Sequence, residues 1–453
     1  MKKWIIPFLF LSSAWTTNVY AQTKQLSLQD ALRFALDHNQ QLAVSRLEEQ
    51  IGKQKTTEIR AQALPQLNAT GTLTDNIKKQ VMVLPGAMNT AEPGKPMALE
   101  VGTTWNAAAS GTLTQQLFNQ SVFTGLQAAR AGEEYYSLQT QQTTEDVIYN
   151  VSALYYGLLV RQEKLSVIQS NIDKMTRLVE TTQSQLDNGL AKRIDLDRIK
   201  VSLVNYQTQK TQLENALKID ENTLKTLMGM PSSEAIDLPA LALSEIEQKA
   251  AVTQDFGSFN LENRTEFKVL KKTEELQQFQ KKAYVSEYFP QLSFNAQYSY
   301  NGLSDKFDLF KGGNTTAQWF GMANIGLTLK IPIFDGFARR SRVNQANLTL
   351  QQISKQLELN KLNLTTSFEN ARLSILNSLS TIKTQKENVA LADEVYASTQ
   401  NNYNLGLANL TDLLNAETSL TEAQNTYNEA LLQYKLAELD LIKSHGNLPS
   451  LLN

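Results

Sequence analysis

Two hydrophobic periods alternate along this chain, and each occurs twice. From Gln66 to Thr74 one face carries Leu67, Ala69, Gly71 and Leu73 and the other Gln66, Asn68, Thr70, Thr72 and Thr74, the period-two pattern of a strand. Asn106 to Leu117 alternates more weakly, with Ala107, Ala109 and Gly111 on its apolar face. Leu292, Phe294, Ala296, Tyr298 and Tyr300 alternate with Gln291, Ser293, Asn295, Gln297 and Ser299, and Ala323, Ile325, Leu327, Leu329 and Ile331 with Asn324, Thr328 and Lys330. Four strands are predicted, each close to the ~9–11 residues a membrane strand requires, and no others that could build a second sheet. After each strand pair the period becomes helical. Leu165, Ile168, Ile172, Met175, Val179, Thr182 and Leu186 form a heptad seam that resumes beyond Gly189 at Ile199, Leu203, Tyr206, Leu213, Leu217, Leu224 and Leu227, interrupted by Lys210 and Asp220. A second seam runs through Leu364, Phe368, Ala371, Ile375, Ile382, Val389, Tyr396 and Tyr403, then Leu413, Ala416, Leu420, Ala423, Tyr427, Ala430, Tyr434 and Ala437. Two helical hairpins follow. A single helix from Asn119 to Asn188 would reach ~100 Å at ~1.5 Å per residue, a length that only lateral packing can hold.

The same plan is thus written twice. Ala63-Leu64-Pro65-Gln66-Leu67 recurs as Tyr288-Phe289-Pro290-Gln291-Leu292, Leu117-Phe118-Asn119 as Ile333-Phe334-Asp335, and Gly189-Leu190-Ala191 with Asp195-Leu196 as Gly406-Leu407-Ala408 with Asp412-Leu413. The spacing between copies is larger for the first match than for the later two, so the first copy holds a longer connection between Gln66 and Leu117. The expected organisation is a first repeat over 22–230, a linker over 231–262 marked by Pro231-Ser232-Ser233 and Leu238-Pro239, and a second repeat with a C-terminal tail over 263–453. Residues 1–21 read as a secretory signal: Lys2 and Lys3, an apolar run from Trp4 to Leu11, and a cut after Ala21.

Composition narrows the class. The chain holds 43 basic and 45 acidic residues, and loss of Lys2 and Lys3 makes it more acidic still, so no nucleic-acid surface is implied. An exported chain with no cysteine has no disulfide, no thiolate metal site and no lipidated N-terminal cysteine. The most apolar later stretch, Val147 to Val160, contains Asn150 and Ser152 and reads as a packed helix rather than a membrane span. His38 and His445 are the only histidines, and no nucleophile–base grouping, phosphate loop or metal spacing occurs. No catalytic residue, metal or cofactor is predicted.

The strands decide how an exported chain of this kind meets the membrane. Alternation alone would also suit a soluble sandwich, but here the polar face is Ser, Thr, Asn and Gln, as a wet lumen requires. Tyr288, Phe289, Tyr298, Tyr300, Trp105, Trp319 and Phe320 gather near strand ends, where an aromatic girdle would sit. Four strands cannot close a barrel, and open edges in lipid leave amides unpaired, so the chain must oligomerise.

The doubled plan, with Leu-Pro-x-Leu or its equivalent leading into the strands and Gly-Leu-Ala-x-x-x-Asp-Leu at both hairpin tips, resembles the TolC-like outer-membrane factors over nearly all of the mature chain. The resemblance implies a mainly α fold with a small β part, a homotrimer whose 12-stranded β-barrel sits in outer-membrane lipid, and a periplasmic tunnel of long coiled-coil hairpins. It also implies a passive exit duct, without enzymatic activity, whose tips dock on a periplasmic adaptor coupled to an inner-membrane pump. Gly189, Leu190, Ala191, Gly406, Leu407 and Ala408 would be the docking tips, and Asp195, Tyr403 and Asp412 would form the periplasmic gate. Two positions depart from the family pattern: a basic gate residue is replaced by Ala408, and a second lumenal aspartate by Asn415. Local chemistry gives the tips a plainer role as well, with Gly189 and Gly406 as helix C-caps and Asp195 and Asp412 as N-caps. A periplasmic adaptor and a secreted structural coiled coil are the competing readings; an adaptor has one hairpin with lipoyl-like flanks, against two hairpins here. The generic polar lumen leaves drug, metal and protein export open.

Overall fold

A computed structural model describes residues 25–90, 92–240, 257–313 and 316–452. The signal over 1–21 and its cut after Ala21 lie outside the described residues, as do residues 241–256 of the linker. The chain forms two compact units, one from Gln41–Thr143 and Asn260–Thr366, the other from the described parts of Met1–Gln40, Thr144–Phe259 and Ser367–Asn453.

The first unit carries the strands. β1 (Gln66–Asp75), β4 (Trp105–Phe118), β5 (Gln291–Ser304) and β6 (Gln318–Lys330) make one antiparallel sheet in the order β1-β4-β5-β6, so that β4 and β5 join the strand pairs of the two copies. The register places like with like. Leu67 opposes Leu113, Phe294 opposes Leu327, Leu292 opposes Leu329 and Ala296 opposes Ile325, a continuous apolar face across all four strands. The other face holds polar ladders: the Thr70 and Ser110 hydroxyls are 2.7 Å apart, and Asn295 Nδ2 donates to Thr328 Oγ1 at 3.1 Å. In the edge strands both faces are exposed, the apolar one with Leu67 at 76% and Ile325 at 80%. β1 and β6 are the edges.

A further hairpin, β2 (Gln80–Leu84) paired with β3 (Met97–Val101), occupies the long connection of the first copy. This corrects the expectation that the chain holds only four strands. Val81, Met82, Val83 and Leu84 are apolar on both faces, so no period of two announces them. Aromatic residues mark both ends of the large sheet. At one end Tyr300 stacks on Trp319 at 5.2 Å and Trp105 meets Phe307 at 4.7 Å; Gly302 is required there, because a Cβ would sit 2.7 Å from the Trp319 ring. At the other end Arg339 lies 4.9 Å from the Tyr288 ring and pairs with Asp335 at 2.8 Å.

The second unit is helical. α1 (Leu28–His38), capped by Ser27, ends at Asn39, whose extended backbone breaks the helix before α2 (Gln40–Ala61, nearly all of it in the first unit) and whose Nδ2 donates to the Leu227 carbonyl at 2.7 Å. α3 (Gln120–Asp187) and α4 (Arg193–Met228) form the first hairpin; after α5 (Thr265–Ser286) in the other unit, α6 (Ala338–Asn404) and α7 (Leu410–Ser444) form the second. Gly229 ends α4 at φ 75°, where a Cβ would stand 2.2 Å from the His38 carbonyl oxygen. Ala31, Leu32 and Ala35 of α1 pack on Ile148, Val151 and Leu158 of α3 and on Leu224 and Met228 of α4. The run Val147 to Val160 is therefore interior to a helix bundle, and among the described residues no helix is long and apolar enough to cross a membrane. Phe368, Ala371, Ile375 and Ile382 of α6 meet Ala430, Leu431, Tyr434 and Ala437 of α7 along the expected seam. At roughly 1.5–3 kcal/mol for each large apolar side chain buried, these seams are what hold the long helices. Lys210 and Asp220 interrupt the apolar pattern because both are paired, with Glu214 and Arg161.

Candidate functional site at the hairpin tips

Both hairpins turn by the same device. Gly189 (φ 71°) donates to the Leu186 carbonyl at 2.9 Å and Leu190 to Gln185 at 2.8 Å; Gly406 (φ 73°) donates to Tyr403 at 3.0 Å and Leu407 to Asn402 at 2.7 Å. These are paired Schellman closures, which need a left-handed residue after the last helical turn, so the two glycines are C-caps.

The returning helices start differently. Asn409 caps α7: its side chain accepts from the Asp412 amide at 3.0 Å, and the Asp412 carboxylate accepts from the Asn409 amide at 3.3 Å. α4 begins after Lys192, which offers no side-chain cap. Asp195 and Asp412 are thus not N-caps, as local chemistry suggests, but third residues of their helices. Both helices start three residues earlier than those aspartates require, which leaves the extended cap position to Lys192 and Asn409. Asp412 is held in a reciprocal capping box, whereas among the described residues the Asp195 carboxylate has no hydrogen-bond or ion-pair partner.

Asp195, Tyr403 and Asp412 come together on one open cleft of about 830 Å³, lined also by Leu190, Ala191, Gly406 and Ala408. Gly189 and Leu407 are exposed beside it. The Tyr403 ring packs where two small cores meet, one of Met175, Ile199, Tyr206 and Leu410, the other of Tyr396, Leu413, Ala416 and Leu420. Three large apolar side chains stay in solvent at the turns, Leu190 at 81% exposure, Leu405 at 74% and Leu407 at 76%.

Sequence reasoning missed the cationic side of this cleft. With Ala408 in place of a basic residue, Lys192 and Arg198 of the first hairpin supply the positive charge, and Arg198 Nη1 donates across to Thr411 Oγ1 of the second at 3.3 Å. The available signal was spacing: Arg198 lies three residues after Asp195 and so shares its helix face.

Comparison with known proteins agrees with this architecture. The family described as outer membrane efflux protein matches residues 31–230 and 260–447. Outer membrane protein TolC of Vibrio cholerae is 21% identical over 451 residues, covering 99% of this chain and 96% of that protein. TolC of Escherichia coli is 24% identical over 357 residues, covering 75% and 69%. The crystal structure of the outer membrane protein VceC from Vibrio cholerae superposes with a TM-score of 0.71 at 16% identity, over 92% of this chain and 96% of that one. Matched along both repeats, the chain belongs to the outer membrane efflux protein family.

Proposed function

We infer that this chain is the outer-membrane exit duct of an efflux or secretion system, passing substrates from the periplasmic side to the outside. The observation that carries the reading is the four-stranded sheet, whose apolar face is exposed and whose edges β1 and β6 have no pairing partner among the described residues. Exposed Leu67, Ile325, Leu327 and Leu329 suit lipid, and the Thr, Ser and Asn ladders suit a wet lumen. Pairing β6 of one copy with β1 of the next, in a trimer, satisfies both edges and completes a closed barrel. The helical hairpins then continue the duct into the periplasm.

The relatives are channel and export proteins, and transport here needs no chemistry from the chain itself; energy and substrate choice belong to an inner-membrane pump joined through a periplasmic adaptor. The exposed Leu190 and Leu407, flanked by Gly189, Ala191, Gly406 and Ala408, give that adaptor small apolar turns on which to pack. The resting gate is formed by Tyr403 and Asp195: both line the tip cleft, and Asp195 is the tip carboxylate that no cap occupies. Asp412 adds a ring of three carboxylates in the trimer, and with Asn415 in place of a second ring the block by cations is shallow.

The test is fractionation followed by reconstitution. The mature protein should be recovered from outer membranes as a trimer and should conduct ions in planar bilayers. A soluble monomer that never conducts would overturn the reading in favour of a structural coiled coil or an adaptor.

A further inference from the structure

Above the tip cleft the apolar seam between the hairpins is interrupted by a buried polar cluster. Glu417 of α7 is 2% exposed, and four helices surround its carboxylate. The Tyr206 hydroxyl of α4 donates to Glu417 Oε2 at 2.5 Å. Thr421 Oγ1 lies 3.2 Å from Glu417 Oε1 and 3.0 Å from its carbonyl oxygen, and accepts from Asn171 Nδ2 of α3 at 2.7 Å. Lys174 of α3 acts on the carboxylate by its charge and stands 5.0 Å from the ring of Tyr396, contributed by α6. Glu422 faces Tyr206, and Arg177 and Asp393 face Tyr396.

The Tyr206–Glu417 and Asn171–Thr421 bonds both cross from the first hairpin to the second. A buried carboxylate in a coiled-coil seam is costly, and apolar residues of similar size would hold two helices at least as well. What the polar cluster adds is a link that can be released: once Tyr206 and Glu417 separate, each regains water. Glu417 lies about two helical turns from the start of α7, so any movement that draws the second tip away from the first strains this link before others deeper in the seam.

We propose that Glu417 is a positioning residue for the gate, a latch that holds the second hairpin on the first and thereby sets Tyr403 and Asp195 in register for closure. The inference rests on the tip reading above, and it carries a pH dependence of its own. Burial raises the Glu417 carboxyl above its ordinary range, against the opposing effects of Tyr206, Thr421 and Lys174. The latched arrangement therefore binds a proton more tightly than a parted one, and closure through Glu417 strengthens as pH falls through its titration and weakens as pH rises above it.

The experiment is single-channel recording of the full-length trimer at neutral and mildly acidic pH, comparing the wild type with Tyr206→Phe, Glu417→Gln, the double variant and Tyr403→Phe. Each single change alters one polar atom, and resistance of the trimer to dissociation by detergent and heat monitors assembly. Tyr206→Phe should raise the ratio of open to closed dwell time about tenfold at neutral pH, the effect expected for one hydrogen bond to a charged group. Glu417→Gln should remove the acid-favoured component of closure, and the double variant should open no further than Tyr206→Phe. Wild-type-like dwell times and pH response in both single variants, in assembled trimers, would overturn the latch. If those variants are silent while Tyr403→Phe opens the duct, the tip gate stands without the latch; if they respond while Tyr403→Phe is silent, the latch stands and the tip pair is not the gate.

Discussion

Phe294 on β5 stands directly opposite Leu327 on β6, and their neighbours Asn295 and Gly326 form the next rung on the polar face. One residue along the strand thus separates a lipid position from a lumen position. Lysine in place of Phe294, or arginine in place of Leu327, should cost roughly 2–4 kcal/mol per chain near mid-membrane, while Asn295→Lys should be tolerated. Trimer recovered from outer membranes is the measurement. Equal yield from both faces would mean that the sheet does not meet lipid as described.

The two tips differ in one cap, and the difference can be exchanged. Lys192→Asn would reproduce at α4 the pairing of Asn409 with Asp412 at α7, drawing Asp195 into a capping box. The helix start should gain about 1 kcal/mol, seen as a higher melting temperature. If Asp195 holds the gate as proposed, the same change should also raise conductance, because the capping box would occupy its carboxylate. Conversely, Asn409→Ala should destabilise α7 by a similar amount.

Direct removal of the gate pair provides the simpler test. A hydrogen bond to a charged group is worth about 1.5–3 kcal/mol, and in the proposed closed trimer a bond from Tyr403 to Asp195 would occur three times. Tyr403→Phe and Asp195→Ala should each increase single-channel conductance of the purified trimer. With neither effect, Tyr403 is packing and Asp195 only a helix-terminal charge.

Docking at the tips predicts a separation of assembly from export. Ala191→Arg or Ala408→Arg would place a bulky charge beside Leu190 or Leu407, whose exposure is the largest apolar feature of the turns. Export should be lost while trimers remain in the membrane. Measured in cells lacking other channels, unchanged export would count against these turns as the adaptor's footing.

The base of the helical unit has its own pH limit. Tyr155 donates to the Leu26 carbonyl at 2.9 Å, and burial, aided by Asp30, raises its pKa to about 12. Because this folded value lies above that of an exposed phenol, the contribution is fully present below about pH 10 and is lost as pH rises toward 12. Thermal melts across this alkaline range should fall less steeply for Tyr155→Phe than for the wild type. Parallel curves would show that Tyr155 does not titrate in the folded protein.

Much of this molecule follows from local pattern. The alternation in Leu292 to Tyr300 and in Ala323 to Leu329 fixed which side chains share a face, since a strand has period two and the register could only match apolar with apolar. The heptads fixed the seam from Leu364 to Tyr396 and its partners in α7 for the equivalent reason in helices, and Gly189 and Gly406 marked the turns because a Schellman closure needs a left-handed residue. Pairings between distant segments were decided by the tertiary structure. β2 and β3 lack a period of two and are defined only by pairing with each other. The cap of α4 at Lys192 rather than Asp195 depends on where the chain leaves the turn. Arg198 reaches Thr411, and Tyr206 and Asn171 reach the neighbourhood of Glu417, because two hairpins far apart in sequence lie side by side. A heptad shows which residues leave water; it does not show which buried polar groups will find one another, since that depends on the axial stagger of helices more than 200 residues apart.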